Sequence, residues 1–167
     1  MSRTLETLLI PSLVLGLLGA CSFEPLDVSP PNPLRDGLAR ANFTPFSSQI
    51  PGGALVDVWV SADAADEYDK VLLDGAGSGV DLPQGTVIIR EVFDEFGQVE
   101  TLTLMIKNEP GYFPGGGDWW YGVADPDGII RNDDNGLPLM GPLEQCNACH
   151  VARANDGYLF GVPSAYH

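Results

Sequence analysis

Residues 55–60 (LVDVWV) alternate in a way that suits an extended chain: Val56, Val58 and Val60 fall on one face of a strand, Asp57 and Trp59 on the other. Ser61 closes the run and is placed to N-cap a helix over 62–73, with Asp63, Asp66 and Glu67 in early turns that suit the helix dipole. The glycine-rich stretch 75–79 then breaks the chain. Residues 85–93 (GTVIIREVF) and 98–107 (QVETLTLMIK) are strand-like runs joined by the turn sequence Asp94-Glu95-Phe96-Gly97, which predicts a hairpin. Breaks follow at 108–111 and 114–117, then a further strand at 118–124 (DWWYGVA) and a turn at Asp125-Pro126-Asp127-Gly128. A short helix is expected from residue 143 to about 154, and a last short strand at 158–160. The pattern predicts an α+β fold, a mainly antiparallel β-sheet with a few short helices, and shows no internal repeat.

The chain before residue 54 reads differently. Residues 1–20 carry an early Arg3, an apolar run from 8 to 18 and then small residues, the layout of a secretory signal. A transmembrane anchor would want about 20 apolar residues, whereas this run is shorter and contains Pro11. Leu18-Gly19-Ala20-Cys21 resembles a bacterial lipobox, which implies that Cys21 is lipidated and becomes the first residue of the mature chain. Ser22 beside it favours the outer membrane, by resemblance to the enterobacterial sorting rule. Prolines at 25, 30, 31 and 33 make residues 22–36 an extended tether, and 37–53 reads as loop with at most one short helix. The expected organisation is a signal at 1–20, a lipidated tether and loop at 21–53, and one domain at 54–167.

Composition narrows the partners. Removing residues 1–20 leaves 147, enough for one core, with the full net charge of −15 retained. So acidic a chain excludes nucleic acid as partner, since that affinity rests on Lys and Arg neutralising phosphates. It suits a basic redox partner, or simply solubility outside the cytoplasm. Asn132-Asp133-Asp134-Asn135-Gly136 clusters oxygen ligands but lacks the glutamate that completes a calcium loop.

The pentapeptide Cys146-Asn147-Ala148-Cys149-His150 has the pattern of a covalent c-type haem site. Cysteines three apart on a helix can add to two vinyl groups of one porphyrin, and the adjacent histidine can take the proximal position on iron. The competing readings are a disulfide, half of a zinc site or a thioredoxin-like pair. Zinc would need further ligands, and the chain has only Cys21 and His167 to add. A redox CxxC opens a helix early in a βαβ unit, whereas this one follows all the main strands. With Cys21 lipidated, the other two of the three cysteines are the haem pair.

Only 17 residues follow His150, which excludes the small cytochromes c that begin with this motif; 20 glycines and 14 prolines exclude a four-helix bundle. A Gly-Thr-Val-x-x strand at 85–89, the segment Gly-Tyr-x-Pro-x-x-Gly-Asp-Trp at 111–119, and Gly-Pro-Leu-Glu-Gln-Cys-Asn-Ala-Cys-His at 141–150 come in that order. Together they resemble the cytochrome P-460 family and its relative cytochrome c-prime-beta, over residues 56–160. The resemblance implies an antiparallel β fold, often a homodimer, with one covalent haem c on the late helix and an open distal iron. It implies haem attachment through Cys146 and Cys149 and proximal ligation by His150. Members oxidise hydroxylamine or bind nitric oxide and carbon monoxide.

The family's cross-linking lysine aligns with Arg90, and arginine, always protonated, is a poor nucleophile. That departure weighs against hydroxylamine oxidation; Lys107 is the fallback if the register differs, and otherwise a solvated lysine at a strand end. For the sixth ligand the candidates by chemistry are Met140, Met105, Lys107 and His167. Met140 is six residues before Cys146 and too near to cross the ring; Met105 is on an apolar strand, and His167 is terminal. An open site is expected, with Arg90 or another polar group as hydrogen-bond donor to a bound diatomic or nitrogen oxide. Trp119 and Tyr121 would share one strand face, with core packing as the default. The function expected is that of an exported, lipid-anchored haem protein on the periplasmic side of a bacterial envelope, binding or oxidising a small nitrogen species. The alternative is a six-coordinate electron-transfer cytochrome served by a redox partner protein.

Overall fold

The structure, a computed structural model, describes residues 33–48, 53–71 and 78–167. The signal, Cys21 and the tether through residue 32 lie outside the described residues, as does the far end of the helix expected over 62–73. The strands are β1 (Leu38–Arg40), β2 (Phe46–Ser47), β3 (Leu55–Ser61), β4 (Val87–Phe93), β5 (Val99–Lys107), β6 (Trp119–Ala124) and β7 (Met140–Gly141). They form one antiparallel sheet in the order β1-β3-β4-β5-β6-β7, with β2 also paired to β3. Among the described residues two short helices accompany it, α1 (Ala65–Tyr68) and α2 (Glu144–His150). The fold is α+β with a mainly antiparallel sheet, and the hairpin of β4 and β5 is its centre. Among the described residues no helix is long and apolar enough to cross a membrane.

Strand alternation divides the interior in two. Val56, Val58, Val60, Ile88, Met105 and Tyr121 face the main core, where they meet Tyr68, Val71, Leu82, Trp119, Leu159 and Val162. Each fully buried side chain of this size contributes roughly 1.5–3 kcal/mol through removal from water. The register aligns Val60, Ile88, Met105 and Tyr121 across four strands, and Val58, Arg90 and Thr103 in the next row on the same face. The opposite face carries a smaller cluster of Trp59, Ile89, Leu102 and Ala124, with Leu34, Leu38 and Ile130 packed against it.

That second face also buries two carboxylates. Asp57 and Glu91 are direct cross-strand partners, 2% and 1% exposed. Like charges opposite one another repel, and buried ions need partners. Arg35 supplies Nε at 2.7 Å and Nη2 at 2.5 Å to Glu91, which also accepts from Trp59 Nε1 at 3.0 Å. Arg40 Nη2 lies 2.7 Å from both oxygens of Asp57, and Asn42 Nδ2 donates to it at 2.8 Å.

This network accounts for several departures from the expected elements. The stretch 37–53, expected as loop, supplies β1 and β2, because Arg40 reaches Asp57 only when its segment pairs with β3. The end of the expected tether forms a single 3-10 turn at Pro33–Arg35 that delivers Arg35. Ser61 does not cap a helix: its Oγ accepts the Val87 N–H at 2.8 Å, and the chain turns through a 3-10 segment, Ala62–Ala64, into a one-turn α1. At the 132–136 turn, the Asp133 carboxylate accepts the amides of Asn135 and Leu137 at 2.9 and 2.8 Å, which holds its pKa below the usual range.

Glu91→Ala should destabilise the protein by about 3–5 kcal/mol, because it breaks the buried ion pair with Arg35 and removes the acceptor of Trp59 Nε1. In urea denaturation the double variant Arg35→Ala/Glu91→Ala should lose less than the sum of the two single losses; strict additivity would refute the coupling.

Candidate functional site

Helix α2 begins after Gly141-Pro142, with Glu144 in its first turn where a negative charge suits the dipole. Positions i, i+3 and i+4 lie on one helix face, so Cys146, Cys149 and His150 share a side. All three line a cavity of about 460 Å³ between α2 and the main-core face of the sheet. Both thiols are free; burial pushes the Cys146 thiol up, and Cys149 is exposed. Asn147, also buried, donates through Nδ2 to the Gly115 carbonyl at 3.1 Å. A Cβ on Gly116 would lie 2.4 Å from the Phe113 ring and 3.2 Å from Asn147 Oδ1, so the Pro114–Gly116 turn fits α2 only with glycine there.

His150 is held from behind. Its Nδ1 lies 2.6 Å from the carbonyl oxygen of Tyr158, which can only accept, so Nδ1 carries the proton and Nε2 keeps its lone pair. The ring packs at 5.3 Å from Tyr121 and edge-on to Phe160 at 5.0 Å. Burial lowers the imidazole pKa, the hydrogen bond to Tyr158 opposes that, and the positive charge of Arg90 lowers it further; the net favours the neutral ring. A neutral imidazole whose far nitrogen is fixed by a backbone carbonyl is the form that ligates metals.

The carbonyl reaches His150 because α2 continues as a 3-10 segment to Asp156, and then Gly157 (φ 65°) and Tyr158 (φ 66°) are both left-handed. Glycine is required at 157, where a Cβ would stand 2.4 Å from the Val80 carbonyl oxygen. Residues 158–160, expected as a strand, form none. Their carbonyls accept from side chains instead: Tyr158 from His150, Leu159 from Arg153 Nε at 3.3 Å, and Phe160 from the Tyr68 hydroxyl at 2.8 Å. Gly157 likewise accepts from Trp119 Nε1 at 2.9 Å.

Of the residues singled out from sequence, Cys146, Cys149, His150, Arg90 and Met105 meet at the cavity. Arg90 extends from β4 with Nε 3.3 Å from Thr103 Oγ1, and burial lowers its pKa. Lys107 is not part of the lining; its Nζ pairs with Asp81 at 2.7 Å and lies 5.3 Å from the Trp119 ring. Met140 is exposed on β7, and His167 sits 3.0 Å from the Val162 carbonyl, both apart from the cavity lining. Tyr121, expected to pack in the core, also forms part of the wall, and its buried hydroxyl has no hydrogen-bond partner among the described residues. Tyr68, Phe46 and the Tyr158 carbonyl were not legible as site residues; the one local signal was Gly157 after the helix, the position where a left-handed glycine ends one.

The donor set fits a c-type haem. Two thiols and a neutral imidazole face one mostly apolar space, whose volume falls within the roughly 300–1,000 Å³ typical of ligand sites, and the unsatisfied Tyr121 hydroxyl leaves a donor for a bound group. Searches against family models, curated proteins and solved structures find no match to the chain.

Histidine 15N spectra of the haem-free chain should show His150 as the Nδ1–H tautomer, and Gly157→Ala should change that tautomer or broaden the signal. An Nε2–H ring in the parent chain would refute the fixed orientation.

Proposed function

We propose that this chain is an exported, lipid-anchored c-type haem protein of cytochrome P-460 type that binds or oxidises a small nitrogen species at an open distal iron position. The supporting observation is the convergence on one cavity of Cys146, Cys149 and a His150 whose Nε2 is left free by the 2.6 Å bond from Nδ1 to Tyr158. In this reading Cys146 and Cys149 attach the porphyrin and His150 is the proximal ligand. The bound group supplies an iron that changes between ferrous and ferric states and offers a position to a small ligand. The residues of the chain do the rest. Tyr158 orients the imidazole and sustains its basicity, while Ile88, Tyr121 and Phe160 line the space and keep bulk water out. Arg90 stands as a polar donor on the sheet side. The signal at 1–20 would direct export, and lipidated Cys21 would hold the protein on the periplasmic side of the envelope, the outer membrane favoured, where a redox partner protein reaches it.

One observation favours the alternative, an electron-transfer cytochrome: Met105 is part of the cavity wall, and a thioether is a common sixth ligand. The two readings separate by spectrum. The open-site reading expects a high-spin ferrous protein that binds carbon monoxide, unchanged in spin state by Met105→Leu. A low-spin spectrum indifferent to carbon monoxide, becoming high-spin in Met105→Leu, would overturn it in favour of electron transfer. For attachment, Cys146→Ala with Cys149→Ala should abolish haem staining in a denaturing gel, and retained staining would refute the covalent link.

A further inference from the structure

The sequence holds 23 Asp and Glu residues against eight Lys and Arg, so carboxylates are plentiful partners for every cation. Among the described residues, Arg35, Arg40, Lys70, Lys107 and Arg153 each form an ion pair with one. Arg131 has none, but it is exposed and donates to the Glu100 carbonyl at 2.6 Å. Arg90 differs from all of these: it lines the cavity, its one hydrogen bond among the described residues is Nε to Thr103 Oγ1, and no described carboxylate pairs with it. Nearby groups do not neutralise it. The Tyr68 phenol is fully buried and donates to the Phe160 carbonyl, and burial pushes both that phenol and the Cys146 thiol up, toward their neutral forms. Arg90 is half-buried at the cavity wall, and a cation partly withdrawn from water without a counter-charge gains from a group that supplies one. The two terminal nitrogens of a guanidinium form a fork matched to a two-oxygen anion.

We propose that Arg90 receives a carboxylate-class anion within the cavity. Two sources share that chemistry: a small free oxyanion entering the site, or a propionate of the porphyrin. The first stands on Arg90 alone; the second rests on the haem reading. With Arg90 not yet paired, the cavity disfavours cationic ligands, so in the first case it suits anions or neutral molecules rather than protonated amines; a propionate would cancel that charge and the preference with it.

The test uses the full mature chain, with and without haem, and sodium formate as probe at constant ionic strength. In the haem-free chain, formate should raise the melting temperature, and Arg90→Leu should weaken its apparent affinity by roughly tenfold to a hundredfold. Without formate, the haem-free Arg90→Leu chain should melt higher than the parent, because an uncompensated charge has been removed. In the haem-loaded protein, a formate response abolished by Arg90→Leu identifies the free anion. No formate response, together with a shift of the propionate bending band in the resonance Raman spectrum of Arg90→Leu, identifies the porphyrin carboxylate. The proposal is overturned if formate stabilises neither form and the Raman band is unmoved, or if haem-free Arg90→Leu melts lower than the parent without formate. A chain that takes up no haem but still shows an Arg90-dependent formate response would refute the haem reading and leave this inference standing.

Discussion

Adjacent residues of a β-strand cannot meet, because their side chains leave opposite faces of the sheet. At the centre of β4 this rule separates Arg90 from Glu91, two opposite charges that would otherwise neutralise each other. Glu91 is turned to the second face and draws Arg35 onto it, 56 residues away in sequence. Its cross-strand neighbour Asp57 draws Arg40 in the same way. Residues 33–47 are thus fixed to the sheet by the charges they must cancel, and Arg90 is left on the cavity side, where no described carboxylate pairs with it. One local alternation therefore determines how the chain's entry is docked and what charge the cavity contains.

The other wall of the cavity depends on backbone carbonyls. Four consecutive residues, 157–160, give theirs to side chains: Trp119 and Tyr68 from distant elements, His150 and Arg153 from the helical stretch just before. A strand would have committed the same groups to a neighbouring ladder. Releasing them requires the left-handed pair Gly157 and Tyr158, an unfavourable conformation for tyrosine that packing must sustain. The gain is a histidine whose tautomer and orientation are set before any ligand arrives.

Strands β3 to β6 were legible because alternation is a local signal, and so was the trio on α2, because its spacing suits one helical turn. Short strands β1 and β2 carry no pattern of their own; they exist because of partners elsewhere, and the 37–53 stretch looked like loop for that reason. Residues 158–160 misled in the other direction, since their apolar, aromatic composition is that of a strand while their hydrogen bonds belong to side chains. That Arg90 and Met105 share a face with Tyr121 follows from register, which a single sequence leaves open. That no described carboxylate pairs with Arg90 was beyond sequence altogether, since it depends on where each of them goes.

Charge at the site and charge of the whole molecule then have opposite signs. The chain carries −15, but charges exposed to solvent are screened beyond about 10 Å at ordinary salt. A guanidinium in a mostly apolar cavity acts through a medium of lower dielectric and is screened far less. A small ion approaching from solution therefore meets a negative surface, which slows anions, while an ion already inside meets Arg90, positive until an anion pairs with it. Entry and retention favour different charges. A neutral species escapes the first barrier and is not repelled by the second, so neutral molecules able to accept a hydrogen bond from Arg90 are the ligands least hindered at both steps.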